Sequence, residues 1–130
     1  MTAIQAAALY AGILLAMMAL LSLPIGLNRN TKKISLGDGG DADMNRLIRA
    51  HGNATEWIPG ALIGLFLLAS VGVGTLIIHV FGLSLVLARA VHAYAFLSGQ
   101  TVGPARVLGA AITLLVYLGL AGTLIFKALS

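Results

Sequence analysis

The chain has 130 residues, of which 59% are hydrophobic and only 9% are Asp, Glu, Lys or Arg. About a quarter of the residues of soluble domains are charged, and a soluble chain this short could not hide so much apolar surface in one core. The composition therefore predicts a single membrane domain, residues 1–130. The absence of cysteine excludes disulfides and thiolate metal sites, and no metal is expected.

Four apolar segments are long enough to be membrane helices. The first contains no charge and, at 1.5 Å per residue, exceeds a hydrocarbon core of about 30 Å. No Lys or Arg precedes Arg29, so we favour a retained helix over a cleaved signal peptide. The sequence predicts an all-α, integral membrane four-helix bundle with helices at about residues 4–27, 44–73, 76–97 and 105–129.

Turn and cap signals set the expected ends of these helices. Pro24 and Gly26 loosen the end of the first helix, and a polar loop is predicted over residues 28–43. Asp43 is a candidate N-cap of the second helix. The second helix starts polar and turns apolar near Pro59, a residue that can kink a helix.

The distribution of Lys and Arg predicts the orientation in the membrane. Basic residues collect in or beside the first loop and the third loop, residues 98–104, whereas the middle connection has none. By the positive-inside rule both of these loops face the cytoplasm, and both termini lie on the opposite side. The net charge of +4 then points to anionic membrane lipids as partners and not to nucleic acid.

A stripe of polar residues crosses the start of the second helix. At about 100° per residue its members fall within an arc of roughly 80°. They are Arg46, Arg49, Asn53 and Glu56. Ionised groups at membrane depth are costly and normally face protein or a water-filled cavity. The stripe therefore predicts a polar site at the cytoplasmic end of the bundle.

Two further helices bring polar residues to the same level. Arg89 and His92 share a face of the third helix, and Arg106 opens the fourth. Either Arg49 or Arg89 can pair with Glu56. Guanidinium forks bind carboxylates, so the cluster suits a small anion with several charges.

Plainer interpretations of the same residues stay open. Basic side chains near helix ends commonly extend to lipid head groups. Glu56 with Arg49 can be a purely structural ion pair, and His92 can serve a helix–helix hydrogen bond.

The stripe also carries a resemblance to a known family. The pattern R-x-x-R-x-H-x-N-x-x-E-x-x-P over residues 46–59 resembles the signature of the MAPEG family, the membrane-associated proteins in eicosanoid and glutathione metabolism. Residues 88–92 and 104–106 are similar to two further motifs of that family. Residues 35–40 resemble its bacterial branch.

The resemblance implies a homotrimer that holds glutathione, as co-substrate, between adjacent protomers near the cytoplasmic face of a bacterial inner membrane. Lipophilic small molecules would reach the site from the bilayer. Arg106 matches the catalytic arginine that stabilises the glutathione thiolate. The residues implied to bind glutathione are Arg29, Arg46, Arg49, Asn53, Glu56, Arg89 and His92.

Three functions compete at this point. The leading hypothesis is a glutathione transferase or peroxidase. A non-catalytic glutathione-binding or scaffold protein is the alternative, because Phe96 stands where many family enzymes have Tyr and Val107 where prostaglandin-type members have Ser. A small multidrug exporter is disfavoured, because such a carrier needs a central membrane carboxylate and the first helix has no charge.

Overall fold

Helices account for most of the described chain. The computed structural model describes residues 1–99 and 102–130. In chain order the helices are α1 (Ala3–Lys32), α2 (Ala42–Ser70), α3 (Thr75–Leu97) and α4 (Pro104–Leu129). The predicted all-α, four-helix fold class is confirmed. The predicted third loop includes residues 100 and 101, which lie outside the described residues.

Helices α2 and α3 form the centre of the bundle. Both α1 and α4 pack against this central pair, whereas α1 and α4 make no contact with each other within the described residues. Large apolar side chains from the first three helices fill the interior. Fully buried examples are Leu14, Ile58, Leu65, Ile78 and Leu85. Because α2 touches both α3 and α4, polar residues at the shared end of these three helices can meet.

Helix α1 runs past its predicted end at residue 27 and closes at Lys32. Pro24 lies inside it, and Asn28 Nδ2 donates a 2.8 Å hydrogen bond to the Pro24 carbonyl oxygen. The C-cap residue is Lys33, which has a left-handed φ of 57° and whose N–H donates to the Arg29 carbonyl oxygen. The prediction of a loop from Asn28 was wrong, because local hydrogen bonds carry the helix beyond the proline.

An ion pair connects the start of α2 to the end of α1. Asp41 Oδ1 accepts a 2.7 Å hydrogen bond from the Met44 backbone N–H, so Asp41 is the N-cap and the predicted cap, Asp43, lies in the first turn. Lys32 Nζ lies 2.6 Å from Asp41 Oδ2. Hydrogen bonds from Lys32 and from the Met44 backbone lower the pKa of Asp41.

The carboxyl end of α2 falls slightly short of the prediction. The helix continues through Pro59 and ends at Ser70 instead of near residue 73. Gly72 follows with a left-handed φ of 80°, a conformation that glycine adopts without steric cost and that ends a helix. The connection to α3 is therefore a tight turn.

The outer surface of the bundle is apolar. Leu20, Leu115 and Leu118 are each more than 60% exposed in the single chain. By length and composition, α1, α3 and α4 can each cross a membrane, with mean hydropathies of 2.2, 1.8 and 2.1 over their most apolar stretches. Helix α2 is not among them, because its first half carries the charged stripe. That α2 also crosses stays a prediction, supported by its central position.

Candidate functional site

The predicted stripe on α2 forms one connected polar face. Arg49 Nη1 lies 3.8 Å from Glu56 Oε1, so the expected pairing of an arginine with Glu56 is made by Arg49. Asn53 Nδ2 donates a 3.3 Å hydrogen bond to the other oxygen of the same carboxylate. About half of the Arg49 and Glu56 side-chain surfaces stay exposed in the single chain, so both can still meet a ligand or a partner.

Arg89 and His92 lie beneath this face and not on its surface. Arg89 is 2% exposed and His92 is 3% exposed. Arg89 Nη2 donates a 2.8 Å hydrogen bond to Asn53 Oδ1 and lies 3.4 Å from His92 Nδ1. With its oxygen engaged by Arg89, the Asn53 amide turns its NH₂ toward Glu56. Arg89 therefore influences the surface of the site only indirectly, by orienting the Asn53 amide.

Three of the predicted arginines line a cleft of about 550 Å³, which we call the polar cleft. Arg46 and Arg49 enter it from α2, and Arg106 enters it from α4. Phe96, near the end of α3, lies between them. Gly99 completes the wall, and a Cβ built there would lie 2.9 Å from Arg46 Nη1. Glycine at this position therefore leaves room for the guanidinium.

Close packing of α4 on α3 brings Arg106 to the cleft. A Cβ built on Gly109 would lie 2.7 Å from the Ala88 carbonyl oxygen and 2.8 Å from His92 Cβ, so only glycine permits this approach. Small residues commonly allow helices to pack this tightly in membranes. One turn earlier on α4, Arg106 places its Cζ 4.8 Å from the centre of the Phe96 ring.

A second cavity of about 560 Å³ begins on the other side of Arg106, and we call it the apolar groove. Val107, Ala110 and Leu114 line one face of α4, and Trp57 of α2 faces them. The Tyr117 hydroxyl donates to the Trp57 carbonyl oxygen, and the two rings meet edge to face with centres 5.1 Å apart. Arg106 lies at the boundary between the groove and the polar cleft.

Arg29 does not join the other predicted site residues within one chain. It lines a separate cleft of about 450 Å³ with Lys33 and Ser35. Its Nη1 donates a 3.4 Å hydrogen bond to the Ile34 carbonyl oxygen at the end of α1. Its predicted part in glutathione binding stays a prediction.

Sequence reasoning missed two parts of this site. It named Phe96 only as a departure from the family pattern, and it did not connect Gly99 with Arg46. The four-residue spacing from His92 to Phe96 did indicate a shared helix face, and the two ring centres lie 5.3 Å apart. The contact with Arg106 had no signal in the sequence, because it depends on how α4 is aligned against α3.

The described residues contain no group of three or more His, Cys, Asp or Glu side chains placed to hold a metal ion. Cations dominate the polar cleft, so its chemistry suits an organic anion. His79 lies at the opposite end of the bundle, where its Nδ1 shares a 2.8 Å hydrogen bond with the Tyr10 hydroxyl.

Comparison with known proteins agrees with this architecture. The sequence profile of the MAPEG family matches residues 7–126, which covers α2 and α3 completely and most of α1 and α4. The inner membrane protein YecN of Escherichia coli strain K12 is 33% identical over 89 residues, or 68% of each chain. The YecN protein of Escherichia coli O6:H1 matches to the same extent.

Proposed function

Because the chain belongs to the MAPEG family of membrane proteins, we propose that it binds glutathione and acts as a membrane glutathione transferase or peroxidase on lipophilic electrophiles. The observation that carries the proposal is the position of Arg106, which lines both the polar cleft and the apolar groove. A reaction between a charged thiol peptide and an apolar acceptor needs such a boundary between two environments.

The charges of the polar cleft and its rim complement those of glutathione. The peptide carries two carboxylates and one ammonium group near neutral pH. Arg46 and Arg49 offer guanidinium forks that can bind the carboxylates in a bidentate manner. Glu56, held 3.8 Å from Arg49, offers an acceptor for the ammonium group. Asn53 can add a hydrogen bond to the peptide backbone.

Arg106 would stabilise the sulfur in its reactive form. A thiolate, and not a thiol, is the nucleophile, and a neighbouring cation favours the thiolate. In a transferase the sulfur forms a bond to an electrophilic carbon in the apolar groove while the leaving group departs with its bonding electrons. In a peroxidase the sulfur attacks the terminal oxygen of a hydroperoxide and the O–O bond breaks. The oxidised sulfur then forms a disulfide with a second glutathione, and an alcohol and water are released.

The exposure of Arg49 and Glu56 favours an assembly of several protomers. Each keeps about half of its side-chain surface exposed in one chain, although charged groups facing lipid are costly. A homotrimer with glutathione between adjacent protomers would cover these charges. It would also bring Arg29 of one protomer toward the polar cleft of the next.

The proposed location is a bacterial inner membrane, with the polar cleft on the cytoplasmic side and both termini on the other. The name of YecN describes that protein as an inner membrane protein. The placement of Lys and Arg supports the orientation. Lipophilic substrates and membrane lipids would then have direct access to the apolar groove.

A second candidate function is glutathione binding without turnover. Phe96 supplies no hydroxyl to the polar cleft, and Val107 supplies none to the apolar groove. Such a protein would keep the arginines and the Asn53–Glu56 pair but add nothing to help a leaving group. Conjugation of a generic aryl halide by the purified protein separates the two functions, because only an enzyme forms product faster than free glutathione does.

The binding proposal is tested by thermal unfolding in detergent at increasing concentrations of glutathione. A ligand at 100 times its dissociation constant stabilises the folded state by about 2.7 kcal/mol, which raises the unfolding temperature. We expect this rise for the wild-type protein and expect Arg49→Ala to lose most of it. Lys127→Ala, which removes a charge at the opposite end of the bundle, is the matched control and should keep the full rise.

The outcome that contradicts glutathione binding is a melting temperature that does not respond to millimolar glutathione in the wild-type protein. An equal response in wild type and Arg49→Ala would place the ligand outside the polar cleft. Binding without conjugation or peroxide reduction would favour the non-catalytic function.

A further inference from the structure

The guanidinium of Arg106 lies over an aromatic ring. Its Cζ is 4.8 Å from the centre of the Phe96 ring, within the distance of about 6 Å at which a cation is attracted to a ring face. Phe96 is only 4% exposed, so the ring is largely shielded from solvent, and Arg106 is half-buried. The Phe96 ring is itself supported by the His92 ring, whose centre is 5.3 Å away.

Arg106 lies at a position where the helix dipole disfavours a positive charge. It lies in the first turn of α4, after the N-cap Gly103 and after Pro104. The amino end of a helix carries partial positive charge, so a cation is disfavoured there. The attraction of the guanidinium to the face of Phe96 offsets part of this cost and favours a position close to the helix start.

The same position concentrates positive potential at one point. Arg106 lines both cavities, and the N-cap of α4, Gly103, lines the apolar groove beside it. The guanidinium and the amino end of α4 therefore both favour an anion there. A guanidinium free to turn into either cavity would lose this alignment. A fixed orientation therefore keeps the guanidinium and the helix start directed at the same anion.

We propose that Phe96 is a positioning residue, which holds Arg106 against the start of α4 so that the two together stabilise an anionic sulfur at the boundary of the polar cleft. This rests on the proposed function and goes beyond it, because it assigns a role to the residue that lacks a hydroxyl. The π-face of Phe96 attracts and orients the guanidinium, and Arg106 makes the contact with the substrate.

The first test needs no ligand. Arginine side chains react with phenylglyoxal, and mass spectrometry of peptides gives the rate at each arginine. We expect Phe96→Leu, which removes the ring, to increase the labelling rate of Arg106 severalfold relative to that of Arg49. Phe96→Tyr keeps a ring face and should leave the rate unchanged. Phe96→Met is a second variant without a ring, for use if the leucine variant does not fold.

The matched control removes a different aromatic contact between the same two helices. Phe81 of α3 packs against Gly119 of α4, where a Cβ would lie 2.5 Å from the ring. Phe81→Leu should cost stability without changing the labelling of Arg106. An increase in this control equal to that in Phe96→Leu would mean that loose packing, and not the lost ring face, frees Arg106. That result would overturn the proposal.

The second test measures the ionisation of the glutathione thiol. The ultraviolet absorbance of bound thiolate, followed against pH, gives the apparent thiol pKa of bound glutathione. We expect Phe96→Leu to raise this pKa by about one unit, which is about tenfold less thiolate at pH values below it. Phe96→Tyr and Phe81→Leu should titrate like the wild-type protein.

Together the two tests separate the positioning role of Phe96 from the proposed function in glutathione chemistry. An unchanged labelling rate of Arg106 in the variants without a ring overturns the positioning role, whatever glutathione does. An unchanged thiol pKa in Phe96→Leu overturns the stated consequence for sulfur. Faster labelling in a protein whose wild type forms no bound thiolate supports the positioning of Arg106 and contradicts the proposed function.

Discussion

Arg89 illustrates how a buried charge can serve a site that it does not touch. Its guanidinium is 2% exposed and donates to Asn53 Oδ1 at 2.8 Å. That bond fixes which end of the Asn53 amide faces Glu56. A buried cation without partners would be costly, so Arg89 and the polar residues of α2 depend on each other.

Replacing Arg89 should therefore weaken ligand binding even though Arg89 lies below the surface of the site. Arg89→Met removes the donor to Asn53 Oδ1, so the amide is no longer held with its NH₂ toward Glu56. Hydrogen bonds to charged groups contribute about 1.5–3 kcal/mol, so we expect glutathione affinity to fall by about tenfold or more. Calorimetric titration in detergent measures the change.

The control for this prediction is Arg89→Lys, which keeps a positive charge and can still donate to Asn53. It should retain more affinity than Arg89→Met. Wild-type affinity in both variants would mean that the orientation of Asn53 is irrelevant to binding.

At the scale of elements, the connection between α1 and α2 depends on ionised carboxylates. Asp41 caps α2 and pairs with Lys32, and Asp38 accepts hydrogen bonds from the Asn45 side chain and the Gly40 backbone. These hydrogen bonds lower the pKa of both carboxyl groups. Because the folded-state pKa is below the unfolded value of about 3.9, the stabilisation is complete above that value and is lost as the pH falls below it.

Acid should therefore loosen this connection before the apolar bundle. We expect amide hydrogen exchange of residues 34–41, corrected for intrinsic rates, to accelerate as the pH falls below about 4. Asp41→Asn keeps a good N-cap but loses the ion pair with Lys32. In that variant exchange near the end of α1 should already be faster at neutral pH. Exchange that stays constant from neutral pH to acid would contradict the role of these carboxylates.

At the scale of the whole molecule, the apolar outer surface and the polar end together define how the bundle sits in a membrane. Helices α1, α3 and α4 are apolar enough to cross, and the charged groups of α2 and the first turn of α4 lie at one end. Basic residues beside the first and third loops predict that this end faces the cytoplasm.

The lack of cysteine makes that orientation easy to test. Ser35, in the first loop, and Ser130, at the carboxyl end, are both exposed. We expect Ser35→Cys to react with an impermeant maleimide only in inside-out vesicles, and Ser130→Cys only in right-side-out vesicles. The reverse pattern would overturn the predicted orientation, and with it the cytoplasmic position of the polar cleft.

The helical membrane fold, the family and the polar stripe could all be predicted from the amino-acid sequence. Those features depend on composition and on spacing within one helix, where 3.6 residues per turn fixes which side chains share a face. It failed locally at the end of α1, where hydrogen bonds around Pro24 extend the helix.

The alignment of the helices with one another could not be predicted in this way and is visible only in the folded bundle. The depth of Arg89 beneath Asn53, the place of Arg106 between two cavities and its contact with Phe96 all depend on the alignment of α4 and α2 against α3. That alignment is set by the close approach at Gly109 and by the packing of many side chains at once. No periodicity along a single chain segment encodes such an approach, because it is a property of two surfaces fitted together.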